Sequence, residues 1–263
     1  MPQITAYAPG VPCWVDFSSP DIDATVNFYA ELLGWDVPES ENPEETGGYR
    51  VANVGGDSIA GLMPAMQEGQ PAAWQTYIAV EDADATAEKV TQAGGQVIAE
   101  PMDVMELGRM AVFTDPEGAF IAVWQANQMP GAALVNEPGA LTWNELNTRD
   151  PDAAKSFYGS VFDWSFTDQD MGESGTYTTF KPPSRGESDE SAGGILDMRG
   201  RVPDEVPPMW LAYFTVEDRD DTVKKAKELG ANVANELELP MGRFAILTDP
   251  QGAAFAVFES TGQ

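Results

Sequence analysis

The chain states one pattern twice. Trp14-Val15-Asp16-Phe17 leads into Asp21-x-Asp23-Ala24 and Phe28-Tyr29 and ends at Trp35; Trp143-Asn144-Glu145-Leu146 leads into Asp150-x-Asp152-Ala153 and Phe157-Tyr158 and ends at Trp164. The correspondence resumes with Trp74-x-x-Tyr77-x-x-Val80-Glu81-Asp82 against Trp210-x-x-Tyr213-x-x-Val216-Glu217-Asp218. It closes with Gly108-Arg109-x-Ala111 and Asp115-Pro116-x-Gly118 against Gly242-Arg243-x-Ala245 and Asp249-Pro250-x-Gly252. A repeated unit of about 130 residues has the size of one domain. The sequence therefore reads as two homologous domains, 1–126 and 141–263, joined by a linker over 127–140 that holds Pro130-Gly131 and Pro138-Gly139.

Within each half the hydrophobic period switches between two and 3.6 in a fixed order. Residues 12–18 read as a strand. Asp21 then caps a helix over Ile22 to Leu33, with Ile22, Val26, Tyr29 and Leu33 at helical spacing and Gly34 as its stop. The second copy adds Pro151 at the first helical position, where a fixed φ and a missing N–H do no harm. After an acidic loop from Pro38 to Gly48, strand-type runs follow at 49–54 and 58–63. The order then restarts: strand 74–80, a helix capped by Asp82 or Asp84 and running through Ala93 to the stop Gly94-Gly95, and strands at 97–99, 110–114 and 120–125. Each half thus holds two β-α-β-β-β modules and the chain holds four. The stretch Pro182 to Ser188 lengthens one loop of the second half.

Composition excludes several partners. No apolar run approaches the roughly 20 residues of a membrane-spanning helix. The opening Met1 to Ala6 has neither the basic stretch nor the apolar core of a secretory signal. One cysteine, Cys13, cannot form an internal disulfide, which fits a reducing cytoplasm. Against 43 acidic residues stand 14 Lys and Arg, a net charge of −29. Nucleic acid and anionic membrane surfaces are repelled at long range by such a chain. The acidity reads as a solvated face or as adaptation to a salty cytoplasm. The expected state is a soluble monomer or homodimer.

The module order, the Phe-Tyr of the first helix, the tryptophan after it and the Asp-Pro-x-Gly before the last strand together resemble the glyoxalase / bleomycin-resistance / extradiol dioxygenase superfamily, the vicinal oxygen chelate proteins. The chain looks most like tandem glyoxalase-like proteins that carry Pro-x-Trp-x-Asp, here Pro12 to Asp16; Gly-Arg-Met-Ala, here Gly108 to Ala111; and Val-Asn-Glu-Pro-Gly, here Val135 to Gly139. The resemblance implies an α+β fold in which paired modules curve their mixed sheets around a cavity. Each cavity is built either from neighbouring modules or by pairing the first with the fourth and the second with the third.

In metal-using members of that superfamily, His, Glu or Gln on four strand positions hold a divalent ion. Carried over one by one, those positions fall on Trp14 and Trp143, on Gln75 and Leu211, on Ala122 and Ala256, and near Ala60-Gly61 and Gly193-Gly194. The chain has no histidine. Only Gln75 could act as a ligand, so no metal or other cofactor is expected. Residues two apart on a strand share a face. Trp14 and Asp16, Trp143 and Glu145, Gln75 and Tyr77, and Leu211 and Tyr213 therefore point together, and an indole, a phenol and a carboxylate would line each cavity. That mixture suits a small organic molecule with a polar or cationic group. Alternatively the aromatics fill the space left by the metal.

Arg109 and Arg243 open strands, where a guanidinium could clamp an anionic ligand or pair with surface acids, or with Asp16 and Glu145. The Asp-Pro-x-Gly runs read as tight turns. Glu81-Asp82-x-Asp84 and Glu217-Asp218-x-Asp220 read as helix caps, since they lack the spacing of a calcium loop. Met102, Met105 and Met110 pack under a loop or line a cavity mouth. Cys13 has no histidine to activate it. Three functions fit: a metal-free small-molecule binder like the bleomycin-resistance branch; a lyase or oxygenase with Asp16 or Glu145 as base and Tyr77 or Tyr213 as acid; and a structural or regulatory module with filled cavities.

Self-repulsion at this charge makes stability sensitive to salt. The melting temperature is expected to climb between dilute buffer and molar sodium chloride as screening relieves it, and a flat thermal-shift series would remove the salty-habitat reading.

Overall fold

A computed structural model describes residues 3–172, 175–186 and 190–261. Of the residues read above, Met1, Pro2, Glu187 and Ser188 lie outside the described ones. The first half runs β1 (Pro12–Ser19), α1 (Ile22–Leu33), a single turn α2 (Pro43–Thr46), β2 (Arg50–Val54), β3 (Asp57–Pro64), β4 (Ala73–Ala79), α3 (Ala83–Gln92), β5 (Gln96–Val104), β6 (Gly108–Thr114) and β7 (Phe120–Ala126). The second runs β8 (Leu141–Thr148), α4 (Pro151–Phe162), β9 (Ser165–Asp170), β10 (Thr176–Lys181), β11 (Gly193–Asp197), β12 (Met209–Thr215), α5 (Arg219–Glu228), β13 (Asn232–Leu239), β14 (Gly242–Thr248) and β15 (Ala254–Ser260). Their strands form two mixed sheets, ordered β2-β3-β1-β4-β7-β6-β5 and β13-β14-β15-β12-β8-β11-β10-β9. Among the described residues no helix is long and apolar enough to cross a membrane.

Local chemistry sets the helix ends. The Asp21 carboxylate accepts the Ala24 N–H at 3.1 Å, and Gly34, at φ 74°, returns its N–H to the Ala30 carbonyl. Asp82, Asp150 and Asp218 cap α3, α4 and α5 in the same way. The buried stripe of α1 is Thr25, Phe28, Tyr29 and Leu32, rotated from the expected one, while Ile22, Val26 and Leu33 pack at its margin. The acidic loop after α1 contains α2, which the pattern did not announce. The first module, read as β-α-β-β-β, has two strands after its helices, β2 and β3, and only one bridge, between Asp36 and Asn53, in place of a third. Pro38 stands two residues on and cannot donate to a longer ladder. The equivalent β9 is a full strand paired with β10 from Ser165 to Asp170.

Each sheet is built by neighbouring modules, β1 pairing with β4 and β8 with β12, both antiparallel. The cores pair the modules the other way. Val15, Phe17, Phe28, Tyr29 and Trp74 form one cluster with Phe214, Val223 and Phe255, so the first module packs on the fourth. Ile78, Val90, Phe113 and Ile121 join Phe157, Tyr158, Val161 and Trp210, so the second packs on the third. The helices lie in this shared layer, α1 beside α5 and α3 beside α4.

Polar ties run through the same layer. Trp74 donates to the Tyr29 hydroxyl at 3.0 Å, and Tyr29 donates to Asp249 of the other half at 3.2 Å; Trp210, Tyr158 and Asp115 repeat the relay in reverse, at 3.0 Å for both bonds. Asp115 and Asp249 are the aspartates of the two Asp-Pro-x-Gly turns, and each also closes its own turn by accepting two backbone N–H groups. The variable residue of each turn reaches across as well. Glu117 accepts the N–H groups of Arg149 and Asp150 and the Thr148 hydroxyl, while Gln251 accepts from Ser19 and the Asp21 N–H and donates to the Asp21 carbonyl. The turns expected from sequence are therefore also clasps on the opposite half's helix.

Removing one hydroxyl from this layer leaves one oxygen of a buried carboxylate and an indole N–H without a partner. Tyr29→Phe or Tyr158→Phe is expected to lower stability by about 1–3 kcal/mol. Both halves should still unfold in one transition, with fluorescence and far-ultraviolet dichroism coinciding in urea. A separate transition for one half would show that the shared layer does not couple them.

Candidate functional site

The sheet faces turned away from the helices carry the residues singled out in the sequence. On β1, Trp14 and Asp16 take this face while Val15 and Phe17 enter the shared core. Trp14 pairs with Tyr77 and Asp16 with Gln75 across the β1–β4 ladder; Trp143 with Tyr213 and Glu145 with Leu211 repeat this across β8–β12. Ala122 lies beside Tyr77, and Ala256 beside Tyr213. The strand-parity grouping thus holds in both halves.

The two carboxylates are buried, 6% exposed for Asp16 and 5% for Glu145, and each is held by protein donors. Asp16 Oδ1 accepts from Trp14 Nε1 at 2.7 Å and from the Tyr49 hydroxyl at 2.5 Å, and Tyr77 bonds the same carboxylate. Trp14 shares its N–H with the Tyr49 oxygen at 3.0 Å. In the second half Tyr177 donates to Glu145 Oε2 at 2.9 Å, Tyr213 to Oε1 at 3.0 Å, and Asn147 to Oε1 at 3.2 Å; Trp143 Nε1 donates to Tyr177 at 3.0 Å. Each half therefore builds a Trp–Tyr–carboxylate–Tyr network around one buried acid.

Tyr49 and Tyr177 were absent from the sequence-derived set. Tyr49 stands just before β2 and Tyr177 within β10, each strand pairing with one that carries a glycine, and a Cβ at Gly61 or Gly194 would run into the hydroxyl of Tyr49 or Tyr177. Those glycines stand near an inherited ligand position, so the phenol takes the space beside it. Arg109 and Arg243 lie apart from the network. Arg109 pairs with Asp84 at 2.7 Å and Asp103 at 2.9 Å, Arg243 with Asp220 and Glu259.

The inherited positions do not fit a metal. Their side chains are indole, amide, methyl, leucyl or none, and the nearest carboxylate is already surrounded by N–H and O–H donors that would have to turn away from a cation. Among the described residues, no group of three or more His, Cys, Asp and Glu is arranged so that it could hold a metal ion.

Burial raises the pKa of Asp16, and the hydrogen bonds from Tyr49, Tyr77 and Trp14 only partly offset it. Glu145 is raised for the same reason, against the bonds from Tyr177, Tyr213 and Asn147 and the positive field of Arg201. Tyr49, Tyr77, Tyr177 and Tyr213 are pushed well above the usual phenol range by burial and the adjacent carboxylate, so they remain donors. Burial also raises Cys13, which keeps its thiol protonated.

Fold and site together define a tandem glyoxalase-like protein, and the chain belongs to the glyoxalase/bleomycin resistance protein/dioxygenase superfamily. The model of that superfamily matches residues 14–123, and a glyoxalase-like domain model matches residues 143–258. The chain is 40% identical over its whole length, and over all of the relative, to the "Putative glyoxylase CFP32" of Mycobacterium tuberculosis. It is 39% identical to the anthracycline biosynthesis protein DnrV of Streptomyces peucetius, covering 97% of this chain and 95% of that one. Among solved structures, the Mn(II)-bound glyoxalase of Novosphingobium aromaticivorans superposes with a TM-score of 0.64 at 18% identity, covering 95% of this chain and 82% of that one. This last likeness is one of fold.

The raised carboxylate has a readable consequence. A folded-state pKa above the unfolded value of roughly 3.9 gives a contribution to stability that is complete below that value and is lost as pH rises through the folded pKa. Asp16→Asn removes that titration while keeping an acceptor for the tyrosines. The stability of the native protein minus that of Asp16→Asn, from urea melts in pH steps, is expected to fall steadily from about pH 4 towards neutrality. A difference independent of pH would mean that Asp16 ionises as freely in the fold as in the unfolded chain.

Proposed function

We propose that this protein binds a small organic molecule on the helix-free faces of its sheets, without a histidine-ligated transition metal. The observation that carries the reading is the replacement of the metal-site constellation, in both halves, by an aromatic and carboxylate network that is satisfied by its own hydrogen bonds. Such a face keeps the position at which the superfamily holds its ligands and offers apolar ring surface with fixed polar groups, the usual make-up of an organic-ligand site. Trp14, Asp16, Gln75 and Tyr77 belong to the first face, and Trp143, Glu145, Leu211 and Tyr213 to the second. Two relatives named for anthracycline biosynthesis direct the ligand search to extended aromatic compounds. A reducing cytoplasm, no nucleic-acid partner and a monomer or homodimer complete the reading, on the sole cysteine and the −29 charge.

A second reading is favoured by one geometry. Tyr213 lies 3.0 Å from a carboxylate whose pKa burial raises, the arrangement of a general acid and base pair, so a lyase or oxygenase step through Glu145 and Tyr213, or Asp16 and Tyr77, is the enzymatic alternative.

Elemental analysis after purification and dialysis against chelator is expected to show no stoichiometric Zn, Ni, Fe or Mn, with melting temperature and ligand response unchanged. About one tightly held metal per half, with binding lost on its removal, would overturn the metal-free reading. Small aromatic compounds should quench or shift tryptophan emission in a saturable way, and turnover of any of them would favour the enzymatic alternative.

A further inference from the structure

We propose that the ligand is a small aromatic anion that binds on the helix-free face of the second sheet, where Arg201 pairs with its acidic group. This rests on the small-molecule reading above and narrows it to one face and one ligand class.

The two faces differ in what covers them. On the first, Tyr7, Met129, Ala132 and Val135, all from outside the sheet, pack against Trp14, Tyr77, Ala79 and Trp124. The cover is tied down: Trp124 Nε1 donates to the Met129 carbonyl, the Ala132 N–H to the Cys13 carbonyl and the Tyr7 hydroxyl to the Ala132 carbonyl, each at 2.8 Å. Trp14 is left 4% exposed. On the second face the cluster of Leu211, Tyr213, Ala256, Trp143, Phe244, Ile246, Ala254 and Phe258 comes wholly from strands of the sheet. Trp143, Phe244 and Phe258 stay half-buried there, with the two phenylalanines stacked at 4.8 Å. This is ring surface available to an aromatic body.

Charge selects the other end of the ligand. With 43 acidic residues against 14 Lys and Arg, cations in this chain are readily paired. Arg50, Arg109, Arg149, Arg185, Arg199, Arg219 and Arg243 all have a carboxylate within ion-pair distance. Arg201 is the one arginine with none among the described residues, and it is exposed. Its loop is held in place, since Arg149 donates to the carbonyls of Pro203 and Val206 at 2.8 Å and the Arg201 N–H bonds the Met198 carbonyl at 3.0 Å. The guanidinium rests against Gly175, where an added Cβ would lie 3.0 Å from it, two residues before the Tyr177 that bonds Glu145. It is close enough to Glu145 for its field to be felt there, yet both Glu145 oxygens already hold donors from the protein. A planar fork of N–H groups near the start of β10, two residues from the Tyr177 that bonds Trp143 and without an ion-pair partner among the described residues, matches a carboxylate or phenolate on an aromatic body. The matching loop of the first half, residues 65–72, has Glu68 and no cation. Where the inward carboxylates suggested a ligand with a polar or cationic group, this inference takes an anionic one.

The full chain is titrated with naphthoate, naphthamide and naphthylmethylamine, followed by tryptophan emission and by calorimetry. The variants are Trp14→Phe, Trp143→Phe, Arg201→Gln and, as a charge-matched control, Lys224→Gln. Naphthoate is expected to bind about tenfold or more tightly than the amide, Arg201→Gln to weaken naphthoate by about tenfold or more while leaving the amide unchanged, and Lys224→Gln to do neither. The emission response should vanish in Trp143→Phe and persist in Trp14→Phe. Equal affinity for acid, amide and amine, indifference to Arg201→Gln, or a response lost with Trp14 would overturn this inference and leave small-molecule binding standing. Failure of all three compounds to bind by calorimetry would instead count against the binding reading itself.

Discussion

Two aspartates hold the halves together. Asp115 and Asp249 each fold their own Asp-Pro-x-Gly turn and, with the remaining oxygen, accept a tyrosine from the opposite half whose own oxygen accepts a tryptophan N–H. Both carboxyls are buried, 4% exposed for Asp115 and 3% for Asp249, and that burial raises their pKa. A buried polar group without a partner costs about 1–3 kcal/mol, so every member of these chains restrains its neighbours. Because the relays sit among the aromatic contacts of Tyr29 with Trp35, Trp74 and Phe255, and of Tyr158 with Trp164 and Trp210, they fix the orientation of one sheet on the other. The helices and the largest apolar clusters are committed to this layer, and the opposite faces of the sheets carry the buried carboxylates.

Those faces solve a physical problem created by the absence of histidine. A curved sheet that carries no metal must either pack its interior or present it to a ligand, and a carboxylate there is unfavourable unless donors surround it. Here three donors converge on Asp16 and three on Glu145. The network ties the indole and phenol rings to the carboxylates, so one set of hydrogen bonds both satisfies the buried acid and orders the rings around it. The shorter Asp16 and longer Glu145 reach the same kind of partners, Tyr49 with Tyr77 and Tyr177 with Tyr213. The duplication therefore preserved a constellation and not merely a fold.

What the sequence disclosed was what depends on neighbours in the chain. The Asp21 cap and the Gly34 stop are local, and α1 ends where they place it. Strand parity put Trp14 beside Asp16 because side chains alternate whatever the sheet does next. Misses came from long-range pairing. The third strand of the first module's β-α-β-β-β pattern is only a bridge at Asp36, next to Pro38, and the turn of α1 towards Thr25 and Phe28 depends on the second half's Phe255 and Val223. Tyr49 and Tyr177 reach the buried acids only because β2 and β10 pair with strands that carry Gly61 and Gly194. Glu117 and Gln251 looked like free positions inside a turn, since nothing near them in sequence shows that the turn abuts the opposite helix cap.

Arg201 was missed for a different reason. Reading the chain as a repeat directs attention to what recurs, and Arg201 has no cation opposite it in the first half. The cover over the first face is likewise unique, because the segment from Met129 to Val135 that joins the halves can lie across only one sheet. The two departures from symmetry lie on opposite halves: segments outside the sheet cover the first face, while on the second Trp143, Phe244 and Phe258 stay half-buried and Arg201 follows β11. Two copies held by a shared core can divide labour in this way, one retaining the buried network as structure while the other keeps its rings within reach of solvent. Within an intensely acidic chain an exposed guanidinium that has no ion pair among the described residues is a local exception to a repulsive field, one that an approaching anion feels only at short range, within about a Debye length.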